Sequence, residues 1–134
     1  MSKDLVLKLI SIVKEKAQID DEVLNYINSI FSENAERVLE TIKRGITKYY
    51  IEDRIIWTAM GENSEHIIYP KIYCSCQDFY LNVVIERKRD FCKHILAQII
   101  CDLLKNYKEK RISYDEFRIL FKDEFDNTIN NLKS

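Results

Sequence analysis

Four residues with metal-binding side chains form two close pairs in the sequence. Cys74 and Cys76 flank one serine; fifteen residues after Cys76, a second pair, Cys92 and His94, flanks one lysine. In an extended segment, residues two apart point to the same side, so both sulfurs of the first pair can reach one point. The second pair lies where helical periodicity begins, and a tight turn there brings both side chains to a common ion. Three thiolates and one imidazole are typical of a closed tetrahedral site, so the pattern predicts one structural Zn²⁺ ion.

The remaining cysteine and histidine fall outside this pattern. Cys101 lies seven residues beyond His94, which is roughly 10 Å along a helix, so we expect it to be a core residue. An iron–sulfur cluster that uses Cys101 as its fourth thiolate is the alternative. A disulfide between Cys74 and Cys76 would be strained. We expect His66 to be a surface or hydrogen-bonded histidine.

Charge and glycine content exclude several classes of protein. The 134 residues include 21 basic and 22 acidic side chains, a net charge of −1, so the chain is not a basic protein overall. Its two glycines, Gly45 and Gly61, are too few for a phosphate-cradling loop. Any ATPase with which it works must therefore be another chain. The apolar stretch at residues 5–13 is interrupted by Lys8 and Ser11, which predicts an intracellular protein with no membrane partner.

The first third of the chain, residues 1–44, has the apolar spacing of three helices. These are predicted over residues 3–18, 21–31 and 33–44, with Asp20 and Ser32 as caps of the second and third. Gly45 supplies the expected stop.

From residue 45 to 76 the period changes to two, which predicts strands over residues 46–51, 54–60 and 66–74. Short polar connections favour an antiparallel meander. Pro70 predicts that the third strand is an edge strand or is bulged. A long buried helix is expected over residues 92–108, and Ser113 with Glu116 forms a capping box for a last helix within residues 112–129.

The predicted class is therefore α+β, with N-terminal helices, a three-stranded antiparallel meander, and a zinc knuckle that leads into a long helix and a final helix. The length fits one domain, residues 1–134.

Residues 73–104 resemble the SWIM zinc-finger family, whose signature is C-x-C followed by C-x-H. The two runs Tyr73–Phe79 and Cys92–Ala97 are similar to those of SWIM proteins that belong to Shu complexes. This resemblance implies a protein of homologous recombination and DNA repair. It would bind a RecA-fold recombinase paralog and assist recombinase filaments on single-stranded DNA, in the cytoplasm or nucleoid, or in the nucleus of a eukaryote.

A basic segment between the two ligand pairs is the candidate nucleic-acid surface; its residues are Arg87, Lys88, Arg89 and Lys93, with Lys43, Arg44 and Lys48 as possible neighbours. Flanking acids reduce the cluster at 86–90 to a net charge of +1, and a solvated loop is the alternative interpretation. The aromatic residues Tyr73, Phe79 and Tyr80 would either stack on bases or pack around the zinc site.

A protein partner has two candidate surfaces, an exposed sheet edge or the amphipathic N-terminal helix with Leu5, Val6, Leu9 and Val13. We expect no enzymatic activity, because protein ligands fill the predicted metal shell. Asp78, a possible carboxylate base, is explained as a helix cap. The alternative function is a zinc-dependent nucleic-acid-binding module in transcription or RNA metabolism.

Overall fold

The computed structural model describes residues 2–31, 35–61, 64–69, 73–76, 79–87 and 91–122. Three helices come first: α1 (Ser2–Lys16), α2 (Asp21–Ile30) and α3 (Ala35–Arg44). The predicted cap of α2 is confirmed, since Asp20 accepts a hydrogen bond from the backbone N–H of Val23 at 3.1 Å. The predicted cap Ser32 lies outside the described residues, and the side chain of Asn28 accepts from the N–H of Ala35 at 2.9 Å.

The predicted meander is present as β1 (Ile46–Ile51), β2 (Arg54–Met60) and β3 (Glu65–Tyr69), which pair in antiparallel fashion. The sheet nevertheless has five strands, in the order β4-β3-β2-β1-β5. The segment predicted as one third strand forms β3 and the short β4 (Tyr73–Cys74). The edge position falls to β4, the second part of the predicted strand, whereas β3 is covered by β4. Pro70, the residue on which the prediction rested, lies outside the described residues.

A strand that the sequence did not predict completes the sheet. The helix expected over residues 92–108 is α4 (Lys93–Leu104), which ends where Lys105 adopts the left-handed conformation with φ of 55°. The chain then forms β5 (Lys108–Ile112), which pairs in parallel with β1. This pairing makes the sheet mixed instead of purely antiparallel. The α+β class is confirmed.

The capping box of the last helix is confirmed. Ser113 accepts from the backbone N–H of Glu116 at 3.1 Å and precedes α5 (Tyr114–Leu120). Phe117 and Phe121 are buried, whereas Leu120 is 63% exposed. Most of the predicted range beyond α5, including Phe125, lies outside the described residues.

The sheet carries a core on each face, because successive side chains of a strand point to opposite sides. The larger core joins the sheet to helices α1 to α4, with Leu9, Val38, Ile46, Trp57, Ile68, Leu96 and Ile100 among its residues. The smaller core lies under α5 and consists of Tyr49, Ile51, Ile67, Phe117 and Phe121. None of the described helices is long and apolar enough to cross a membrane.

Candidate metal centre

The two ligand pairs meet at the junction of β4 and α4. One side-chain donor atom from each of Cys74, Cys76, Cys92 and His94 lies within 4.8 Å of the others. All four residues are at most 4% exposed. Zn–S bonds of about 2.3 Å and Zn–N bonds of about 2.0 Å place tetrahedral ligand atoms roughly 3.5–3.8 Å apart. The distance of 3.9 Å from Cys92 Sγ to His94 Nδ1 is close to that value.

The first pair is positioned by the pairing of β4 with β3. Between the two cysteines, Ser75 donates its N–H to the carbonyl oxygen of Ile67, and its hydroxyl oxygen accepts from the N–H of Ile67, both at 2.9 Å. These bonds continue the ladder past the end of β4. They hold Ser75 against β3, with Cys74 and Cys76 on either side of it.

The second pair is positioned by the start of α4. Cys92 is the N-cap residue, with extended backbone, and its carbonyl oxygen accepts from the N–H of Leu96 at 3.2 Å. Before it, the ring of Phe91 packs on Phe31 at a centroid distance of 5.8 Å. Because Cys92 is the N-cap of α4, the positive end of the helix dipole lies beside it and favours the thiolate form that binds a metal ion.

Backbone N–H groups also point at the sulfur atoms. Phe79 donates to Cys76 Sγ at 3.3 Å. Hydrogen bonds from the thiols of Cys74 and Cys92 lower the pKa of Cys76, whereas burial raises the pKa of Cys74 and Cys92. Three thiols gathered in one buried place are poorly suited to carry three charges by themselves, and a divalent cation removes this conflict by replacing their protons.

The site fits one zinc ion by its donor set and its burial. Four protein ligands fill a tetrahedron, as in structural zinc sites, with no position for a water nucleophile. Zn²⁺ with three thiolates leaves a net charge of about −1. Lys93, half-buried between two of the ligands, supplies an adjacent positive charge.

His66 and Cys101 lie outside the ligand set, as expected. Cys101 is 1% exposed within the larger core. His66 is half-buried, and its ring lies 4.8 Å from that of His94. Gly61 leaves room for it, since a Cβ atom there would lie 2.6 Å from His66 Nε2.

Sequence reasoning missed Gln98, which is 1% exposed on α4, four residues after His94. Its signal was a polar residue inside an otherwise apolar helical stripe.

The basic segment is described only in part. Arg87 is exposed and has a φ of 54°, and Lys93 opens α4; Lys88 and Arg89 lie outside the described residues. Lys48 lies on the sheet, with its ammonium 5.3 Å from the ring of Tyr50.

The aromatic residues near the first ligand pair are buried or half-buried where the structure describes their side chains. Phe79 is buried and Tyr80 is half-buried, in line with packing around the metal site. The side chain of Tyr73 is not among those described.

A π-helix (Phe79–Ile85) that the sequence did not predict follows the first ligand pair. Three of its apolar side chains are about half exposed: Leu81 (46%), Val84 (46%) and Ile85 (53%). On α1, by contrast, Val6, Leu9 and Val13 are buried in the core, and Leu5 and Leu7 are exposed. Among the described residues, the sheet edges are β4 and the charged β5.

Comparison with known proteins gives three informative relatives. The chain is 24% identical over 115 residues to zinc finger SWIM domain-containing protein 7 of Mus musculus, covering 83% of this chain and 76% of that protein. It is 25% identical over 115 residues to the Homo sapiens protein of the same name, covering 83% and 82%. The homolog in Dictyostelium discoideum is 26% identical over 118 residues, covering 84% and 76%.

No protein-family model and no solved structure matches the chain. The similarity to curated SWIM proteins extends across more than four-fifths of the chain, well beyond the four ligands. It confirms the resemblance to SWIM zinc-finger proteins that the C-x-C and C-x-H pairs predicted.

Proposed function

We propose that this chain is a non-catalytic, SWIM-type zinc-binding accessory protein of homologous recombination and DNA repair. It binds a RecA-fold recombinase paralog and assists recombinase filaments on single-stranded DNA. The observation that carries this proposal is the buried Cys₃His site together with similarity to SWIM domain-containing proteins along most of the chain.

The closed set of metal ligands supports the part of the proposal that calls this chain non-catalytic. Hydrolysis at a metal needs an open coordination position, and here three cysteines and one histidine supply a complete tetrahedral set. With only two glycines, the chain also lacks the means to build a phosphate-cradling loop. The nucleotide chemistry of such an assembly belongs to the partner.

The exposed apolar side chains of the π-helix give the partner a surface beside the metal. Leu81, Val84 and Ile85 are each about half exposed, whereas Phe79 at the start of the same helix is buried and donates its N–H to a zinc ligand. Zinc therefore holds this ridge, Leu81–Ile85, in place. Binding of the recombinase paralog through the ridge makes the interaction metal-dependent.

Contact with DNA comes from the adjacent basic residues. Arg87 follows the ridge and is exposed, and Lys93 begins α4. Their contribution is weak and salt-sensitive, because the chain as a whole has a net charge of −1. Simultaneous replacement of Arg87, Lys88 and Arg89 by alanine is expected to lower the affinity for single-stranded DNA. An unchanged affinity removes these residues from the proposal.

The test is affinity capture of the tagged chain from its own cells, followed by mass spectrometry. The native chain is expected to recover a RecA-fold ATPase, and treatment with a chelator is expected to abolish that recovery. Val84→Lys tests the ridge, because it is expected to lose the ATPase while retaining zinc. Ile55→Lys is the matched control, since Ile55 is 52% exposed on β2, outside the ridge.

Two results oppose the proposal. Recovery of ribosomal proteins or transcription factors in place of an ATPase favours the zinc-dependent nucleic-acid module. Equal recovery of the ATPase by the native chain and Val84→Lys excludes the ridge as the contact surface.

A further inference from the structure

Two buried side-chain polar atoms in the described part of the chain lack a hydrogen-bond partner, and both belong to residues of α4. They are His94 Nε2 and Gln98 Oε1. The two residues are 3% and 1% exposed. Leaving a donor or an acceptor buried and unpaired is costly, so the presence of both in one place calls for an explanation.

Their positions bring them to the same face of the helix. Residues four apart on a helix are neighbours, and long side chains lean back toward its N-terminus. The amide group of Gln98 therefore extends over the turn that carries His94.

Their chemistry is complementary when the metal is bound. Nδ1 of His94 lies 3.9 Å from Cys92 Sγ, a position from which it can coordinate zinc. A neutral imidazole that coordinates through Nδ1 carries its proton on Nε2 and can donate it. The carbonyl oxygen of a glutamine side chain is an acceptor, so one hydrogen bond between the two residues, which this structure does not contain, would satisfy both atoms.

We propose that Gln98 is a positioning residue of the zinc site: its Oε1 accepts a hydrogen bond from His94 Nε2–H and so fixes the tautomer and orientation of the imidazole. Partners of this kind orient metal-binding histidines and raise their basicity. The ring of His66 also lies near the imidazole, with a centroid distance of 4.8 Å. This inference concerns zinc binding alone and goes beyond the recombination role.

The first test measures zinc affinity by competition with a chromogenic chelator. Gln98→Met keeps the length of the side chain but removes the acceptor, and is expected to weaken zinc binding about 10- to 100-fold. Gln98→Glu keeps an oxygen acceptor and is expected to restore affinity to within a few-fold of the native value. Ile100→Val, a packing change at a fully buried position of the same helix, controls for general loss of stability.

The second test reads the imidazole itself by nuclear magnetic resonance of ¹⁵N- and ¹³C-labelled, zinc-loaded protein. We expect coordination through Nδ1 and a slowly exchanging Nε2 proton in the native chain, Gln98→Glu and Ile100→Val. In Gln98→Met that proton is expected to exchange at least ten times faster. Coordination through Nε2, or equal exchange rates in the native chain and Gln98→Met, overturns the proposal. So does a loss of zinc affinity in Ile100→Val as large as that in Gln98→Met.

Discussion

Burial alone does not make a cysteine a zinc ligand in this chain. All four thiols are buried. Cys101 stands apart from the ligand set, and burial raises its pKa to about 12, so it stays a neutral core side chain. Cys74 is equally buried, but its neighbours are the sulfur atoms of Cys76 and Cys92. What distinguishes the ligands is their convergence.

Cys74 and Cys101 therefore provide a matched pair of substitutions. Cys74→Ala is expected to purify without stoichiometric zinc, because three remaining donors bind the ion weakly and leave one position to water. Cys101→Ala removes a thiol of the same burial and is expected to retain one zinc per chain, at a cost of about 1 kcal/mol. Elemental analysis of the purified proteins checks both. Full zinc occupancy in Cys74→Ala contradicts the assigned ligand set.

A second group of side chains, away from the metal, forms a polar network within the sheet. Glu65 accepts hydrogen bonds from the hydroxyl groups of Tyr49, at 3.1 and 3.3 Å, and of Thr58, at 2.7 Å. Tyr49 is 2% exposed and belongs to the smaller core. Burial is the main cause that raises the pKa of the Tyr49 phenol well above its ordinary value of 10, and the nearby carboxylate of Glu65 raises it further.

The Tyr49→Phe variant is expected to lower the free energy of unfolding by about 1–2 kcal/mol near pH 7, because Glu65 loses a donor. The difference in free energy of unfolding between Tyr49→Phe and the native chain should become smaller as pH rises above 10. The raised folded-state pKa favours the neutral phenol, so its contribution is complete below the unfolded-state pKa and is lost as pH rises toward the folded-state value. Denaturant unfolding at pH 7 to 11 measures this. If the difference in stability between the two proteins stays constant from pH 7 to 11, the neutral Tyr49 phenol does not make this contribution.

At the scale of the helices and strands, the features that the sequence predicted correctly are those set by residues close together in the chain. The side-chain cap at Asp20 and the capping box at Ser113 fix helix starts within a few residues of sequence, and both were predicted. The two ligand pairs were predicted for the same reason, since each is set by a spacing of two residues. The proposed hydrogen bond between His94 and Gln98 could not be inferred from the sequence, because it rests on the burial of both side chains.

Strand β5 shows what the local pattern does not contain. Its sequence, Lys108–Ile112, has four charged residues followed by one isoleucine, and all four charged side chains are exposed. Charged residues are common on edge strands, where they discourage pairing with other chains. A run of four charged residues is also typical of an exposed loop, so the composition alone does not predict a strand. Only pairing with β1, far away in the sequence, makes this segment a strand.

The turn between β2 and β3 depends on the missing side chain of Gly61. A Cβ atom there would lie 2.6 Å from His66 Nε2 and 3.0 Å from the carbonyl oxygen of Ser64. Gly61→Ala is expected to displace the His66 ring and to lower the free energy of unfolding by about 1–3 kcal/mol. Denaturant unfolding of the zinc-loaded protein measures the loss.

A double-mutant cycle supplies the control for Gly61→Ala. In the His66→Ala background the same substitution is expected to cost less than half as much, since the clashing ring is gone. Equal costs in the two backgrounds mean that the ring is not what excludes a side chain at this position.

At the scale of the molecule, the zinc ligands belong to the larger core. Cys74, Cys76 and Cys92 lie in the same cluster as Leu9 of α1 and Val38 of α3. The metal therefore connects the edge of the sheet to the helix against which α1 and α3 pack. Loss of the ion is expected to weaken the whole cluster and not merely the loop between the ligand pairs.

Removal of zinc with excess chelator is accordingly expected to lower the free energy of unfolding by about 4 kcal/mol or more, and Tm by about 10–20 °C. Thermal unfolding followed by circular dichroism measures this, and added Zn²⁺ should restore the native Tm. Cys74→Ala serves as the control, because the chelator should leave its Tm unchanged. A native chain whose Tm is insensitive to the chelator would falsify a structural role for the ion.

The parallel pairing of β1 with β5 has a consequence for how the protein is made. Thr47 pairs with Lys108, so β1 leaves the ribosome long before its second neighbour has been synthesised. At about 5–20 residues per second, translation needs roughly 3–12 s to cover the 61 positions from Thr47 to Lys108. Once β2 and β3 have been made, the nascent meander presents an open edge on β1, and the sheet cannot close until Lys108–Ile112 has been synthesised.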